Sequence, residues 1–127
     1  MNKDTEYWLK LSKYDIDTAK AMLKSGRHLY VLFTCQQAVE KIAKALVVEK
    51  TGAFPPKTHD LLRLLDIAGV VASDEQKQFL AKLNYYYLET RYPEQLSIIS
   101  RQVNKKTGEQ FFTETGRILK WLRSILQ

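Results

Sequence analysis

The chain has 127 residues, of which 45% are hydrophobic and 27% charged, with a formal net charge of +6. That length suits one domain with one core, burying roughly two-thirds of the unfolded surface. The composition excludes a disordered or fibrous chain. The start, Met1-Asn2-Lys3-Asp4-Thr5-Glu6, is polar, and no apolar run approaches the roughly 18 residues of a membrane span. Neither a secretory signal nor a membrane helix is expected, and the cytoplasm is the expected compartment.

Helical periodicity runs nearly end to end, with no internal repeat and no low-complexity stretch, so the chain reads as all-α. The first helix, roughly 4–24, places Trp8, Leu9, Ile16, Ala19 and Leu23 on one side and closes at Ser25-Gly26. The second, roughly 28–51, ends at Gly52, and Pro55-Pro56 cannot continue it. These two long helices are expected to pack antiparallel. A shorter third helix is expected from Thr58 as N-cap to Gly69, with Leu61, Leu62, Leu64 and Leu65 supplying an apolar surface. Ser73-Asp74-Glu75-Gln76 has the form of a capping box and opens a fourth helix that runs to about Thr90, stopped by Pro93. Residues 91–106 then read as one long connection, within which Ile98-Ile99 is an anchor or a short turn. Thr107-Gly108-Glu109-Gln110 reads as a second capping box that opens the last helix, with Phe111, Thr115, Ile118, Leu122 and Ile125 on one face. The expected architecture is an up-and-down antiparallel bundle of about five helices, one domain over 1–127.

The second helix carries the most informative pattern. Gln37, Glu40, Lys41 and Lys44 fall at i, i+3, i+4 and i+7 and gather into a polar stripe, opposite an apolar stripe of Cys35, Val39, Ile42 and Leu46. Glu40 precedes Lys44 by four residues, the favourable order for an exposed pair, so a solvated face is one reading. Apolar neighbours Phe33, Val47 and Val48 support the other, a partly buried pocket or interface. Cys35, the single cysteine, excludes an intramolecular disulfide, and its apolar setting marks a buried structural thiol.

Further candidates lie downstream. Tyr85-Tyr86-Tyr87 cannot all face one core on a helix, so Tyr85 and Tyr87 are candidates for an interface or for stacking on a base, beside ordinary packing. Arg91, before Tyr92-Pro93, either caps the preceding helix or bridges a phosphate or carboxylate. His59 follows Thr58, and Asp60 suits a helix start whatever the function. With His28 the only other histidine, no pair has metal-ligand spacing, and no phosphate-loop, dinucleotide or hydrolase-elbow motif occurs. No metal and no cofactor are expected. Basic residues are scattered; the densest group is Arg101, Lys105 and Lys106, a solvated loop or a phosphate-steering patch.

Taken together, these residues resemble the HEPN family. The likeness rests on Trp8 with Asp15-Ile16-x-x-Ala19, on Phe33-x-x-Gln36-Gln37-Ala38-Val39-Glu40-Lys41-x-x-Lys44-Ala45, on Thr58-His59-Asp60-Leu61 and on Thr90-Arg91-Tyr92-Pro93. It implies a helical bundle that is frequently a homodimer and is often encoded or fused beside a minimal nucleotidyltransferase. Many relatives are metal-independent ribonucleases that use an Arg followed roughly four to six residues later by a His, the general acid or base. Here Arg91 is followed by Tyr92-Pro93-Glu94-Gln95-Leu96-Ser97-Ile98, so that motif is missing and no catalytic residue is assigned. The expected function is therefore a non-catalytic binding module for a nucleotide, RNA or other phosphate-bearing ligand, accessory to a nucleotidyltransferase. Its ligand would meet Gln37, Lys41, Lys44, His59, Arg91 and Tyr92, with Glu40, Tyr85 and Tyr87 at an interface. The rivals are a dimerisation or toxin–antitoxin interaction protein and a ribonuclease in which folding brings His59 to Arg91.

Overall fold

Six helices form in the computed structural model, which describes residues 1–127: α1 (Lys3–Lys24), α2 (His28–Thr51), α3 (Leu61–Ile67), α4 (Asp74–Glu89), α5 (Pro93–Gln102) and α6 (Lys105–Leu126). There are no strands. α1, α2, α4 and α6 are the long members, and α3 and α5 are short helices within the two long-helix connections.

α2 is the hub. α1, α3, α4 and α6 all pack on it, and 13 of its 24 residues are buried. A helix that is apolar on several sides can only be stable surrounded by others, and Val31, Leu32, Val39, Ile42, Leu46 and Val47 supply that surface in several directions. α1 runs antiparallel to it, since Thr5 meets Glu49 while Asp15 meets Lys41. Small residues allow a close approach: the Ser12 hydroxyl donates to the Ala38 carbonyl of α2 at 2.7 Å. α6 runs in the same direction as α2, with Gly108 against His28, where a Cβ would lie 3.4 Å from the imidazole Nδ1. Gly52 ends α2 at φ 72°, a left-handed conformation that favours glycine.

Cys35 is fully buried, as its apolar stripe leads one to expect. Burial pushes its thiol from an ordinary 9.0 up to about 11, and the Thr115 hydroxyl lowers it only in part.

Three boundaries differ from expectation. The connection over 91–106 contains α5. Pro93 does stop α4, because it has no N–H and holds Tyr92 extended. The same ring is preorganised for the first helical position, so it also starts the next helix. Ile99 anchors α5 in the core at 2% exposure, while Ile98 faces out. The third helix is capped by Asp60, whose side chain accepts from the Arg63 N–H, not by Thr58. Finally, α6 opens at Asn104, whose Oδ1 accepts from both Thr107 N–H and Thr107 Oγ1 at 3.0 Å. The expected capping box at Thr107 is therefore already inside the helix, where Gly108 packs against His28. The capping box at Ser73 and Gln76 forms as expected.

The position of the α6 cap has a measurable consequence. Asn104→Ala is expected to destabilise the protein by about 1 kcal/mol, whereas Thr107→Ala loses only a bond to that cap and should cost less. Urea denaturation of both variants checks this; the reverse order would place the cap at Thr107.

Candidate functional site

The polar stripe of α2 does not face solvent. It meets side chains from α1, α4 and the segment before α3, and together they form two linked polar chains inside the bundle. In the first, Lys41 Nζ donates to Asp15 of α1 at 2.8 Å and to Gln37 Oε1 at 3.2 Å. Gln37 Nε2 in turn donates to the Tyr87 hydroxyl at 2.7 Å, which also accepts from Arg91 Nη2 at 3.3 Å. In the second, Glu40 is 3% exposed and its two carboxylate oxygens are shared out. Oε2 accepts from Lys44 at 3.0 Å and Oε1 lies 2.7 Å from His59 Nδ1. A carboxylate offers only lone pairs, so the Nδ1 proton is donated to it and Nε2 is the ring's other edge.

Local sequence explains why these groups converge. The Pro55-Pro56 break turns the chain back along α2, where the Gln36 amide donates to the His59 carbonyl at 3.0 Å. The Leu61 N–H donates to Asn84 of α4 at 2.8 Å. His59 is thus fixed by backbone and ring together, a placement its sequence neighbours alone do not dictate. Asp60 acts as the cap of α3, and no chemistry is needed to explain it. Tyr87 joins the two chains: the His59 ring centroid is 5.3 Å from its ring, and the Arg91 guanidinium carbon lies 5.0 Å from the ring centroid. Phe33 packs edge-on at 5.3 Å. Lys44 lies 5.4 Å from the Trp8 ring centroid, so α1 closes the other end.

Several expectations are corrected by this geometry. Glu40 is no surface interface residue: it is internal, with both oxygens engaged. Tyr87 is 6% exposed and cannot offer its face to an interface or a base. Lys41 and Lys44 each have a carboxylate partner, with their side chains 19% and 12% exposed, so neither is a free cation. Tyr85 is exposed but lies outside this cluster and packs on Tyr86. Exposed groups at the rim are Arg91 and Tyr92, together with the His59 ring, whose side chain is 41% exposed. Sequence reasoning passed over Asn84 and paired neither Asp15 with Lys41 nor His59 with Glu40. Lys41 and Lys44 set among the apolar neighbours Phe33, Val47 and Val48 were the available signal, because a charge among apolar side chains needs a partner. No cluster of His, Cys, Asp and Glu is arranged to hold a metal.

A bundle whose helices are locked by an internal polar network, with an Arg–Tyr–His cluster opening at one side, defines a small all-α module with no built metal centre. The HEPN domain model matches residues 5–125, and the chain belongs to the HEPN domain family. It is similar in structure to TT1696 from Thermus thermophilus, at 23% identity over 98% of each chain and a TM-score of 0.80. It is also similar to ST0689, an archaeal HEPN homologue, at 21% identity over 99% of this chain and 100% of that one, with a TM-score of 0.76. No curated protein matches the sequence.

Glu40 is the test of the network. Glu40→Ala leaves two polar groups without their acceptor and is expected to cost about 3 kcal/mol. Lys13→Ala, which removes an exposed pair with Asp17, should cost less than about 1 kcal/mol. Chemical denaturation compares them, and equal costs would show that the Glu40 network does not hold the bundle.

Proposed function

We propose that this HEPN module is non-catalytic and binds a phosphate-bearing ligand, a nucleotide or short RNA, as the accessory subunit of a minimal nucleotidyltransferase. The observation that carries the reading is the placement of Arg91 and His59 on the same ring, Tyr87. Arg91 is an exposed guanidinium whose position is set by stacking and by its hydrogen bond to the Tyr87 hydroxyl. Its remaining N–H donors suit phosphate oxygens. His59, held through Nδ1, keeps Nε2 for the ligand, and Tyr92, 62% exposed and next to Arg91, can stack on a base. Lys41 and Lys44 support the site from within and do not meet the ligand. Calorimetric titration with ATP, GTP and a short RNA is expected to give saturable heat that Arg91→Ala abolishes. Absence of heat and of any thermal shift at about millimolar ligand, the weak end of specific affinity, would sink the proposal.

A ribonuclease reading has one observation in its favour. A carboxylate bonded to Nδ1 orients an imidazole for proton transfer at Nε2, as in other general bases, and the Glu40–His59 pair has that arrangement at 2.7 Å. Cleavage of labelled RNA that His59→Ala removes would favour it. Intact RNA with wild-type protein would leave the binding module alone.

A further inference from the structure

On the side of α2 turned away from the polar network, α1 and α6 both pack on the hub but touch each other only sparsely. Between them runs a trough made of two adjoining hollows of about 250 and 390 Å³ that share Leu9, Lys13 and Arg123. Its apolar lining is Met1, Leu9 and Ile16 from the first helix and the residues before it, Ile42 from α2 and Leu119 from α6. Along the edges stand Lys10 and Lys13 on one side and Lys120 and Arg123 on the other. Glu6 is the one carboxylate in the lining. Lys10, Lys120 and Arg123 form no ion pair, and Lys13 has only its exposed contact with Asp17.

We propose that this trough is a docking groove for an acidic amphipathic helix of a partner protein, one with carboxylates on both flanks of an apolar stripe. Charge and shape complementarity select that occupant. A helix laid between two helices seats an i, i+3/i+4, i+7 row of apolar side chains in the hollow and brings its flanking residues against the two rims. Cations on both rims select carboxylates on both flanks and repel a basic helix. Nucleic acid fits less well, since the lining is aliphatic and offers no ring for a base to stack on. A second copy of this chain fits less well too: it carries +6. Its exposed apolar helical residues on α5, Leu96 and Ile98, are accompanied by Glu94 and by Arg101 of opposite sign.

The test uses the full chain and a fluorescein-labelled synthetic helix of about four turns, with a leucine stripe flanked by glutamates. A counterpart carries the same stripe flanked by lysines, and a short single-stranded RNA is the third probe. Fluorescence anisotropy is expected to show the glutamate helix binding at least about tenfold more tightly than the lysine helix, a difference of about 1.4 kcal/mol. The charge reversal Lys10→Glu with Lys120→Glu leaves each rim with one cation and one carboxylate and should abolish that preference. Both positions are exposed, and an unchanged thermal midpoint confirms that the variant is folded. Arg91→Ala should leave helix binding as it was, which separates this groove from the ligand site. Equal binding of the two helices, no binding at about millimolar protein, a preference that survives the charge reversal, or RNA competing the helix off the groove would each overturn the proposal.

Discussion

The buried carboxylate of Glu40 is the constraint to which the rest of the bundle answers. A carboxylate at 3% exposure loses its hydration, and that loss must be met by donors close at hand. Lys44, one turn along the same helix, supplies one. The second comes from outside α2, from the segment after Pro55-Pro56. That segment folds His59 back onto α2. That return fixes the start of α3, where Asn84 of α4 receives the Leu61 N–H. One internal charge thus sets the relation of three helices, a specification that apolar packing alone imposes less strictly.

The same logic explains why the α1–α2 contact is mixed in character. Ser12, Thr5 and Asp15 reach α2 through hydrogen bonds, where larger apolar side chains would hold the axes apart. Each polar group taken from water finds a partner, so close approach is reached without an unsatisfied donor along this seam. The Asp15 and Lys41 side chains are each largely covered, at 19% exposure. The pair's place in the row from Asp15 to Arg91 is that of a positioning contact: Lys41 holds the Gln37 carbonyl oxygen, which aims the Gln37 amide at Tyr87.

How much of this was legible in the sequence follows from what kind of information each feature carries. α2 and the ends of α1 were readable because they rest on local signals, a glycine after the last periodic residue and apolar spacing along 24 residues. α5 was not, because Pro93 carries opposite meanings for the helix before it and the helix after it, and periodicity in ten residues is short. Thr107 reads as well as Asn104 for a cap; in the fold Thr107 is instead the donor to the Asn104 side chain. At the candidate site, the residues that resemble the HEPN pattern were found, but their sense was not. Trp8, Asp15, Gln36, Gln37, Glu40, Lys41, Lys44, His59 and Arg91 are scattered along the chain and are joined through one network in three dimensions. A stripe of charge on a helical wheel looks the same whether it faces water or another helix, and only the partners decide.

That reassignment changes which charges are left to act at the surface. Lys41 and Lys44 are the conspicuous cations of the stripe, and they are the ones the fold neutralises. Arg91 lies beyond the end of α4, where stacking on Tyr87 holds it without a carboxylate, so its charge is uncompensated. On α2, Ile42 lies about 200° around the axis from Glu40, at about 100° per residue, so the polar network and the apolar floor between α1 and α6 occupy opposite sides of one helix. The hub therefore keeps two unlike surfaces apart: one in which charges are paired internally and a single guanidinium is exposed, and one in which an aliphatic floor is bordered by cations without buried partners. α2 is packed between them, so the Tyr87 ring beneath Arg91 and the Ile42 floor of the trough are both held by burial in the bundle.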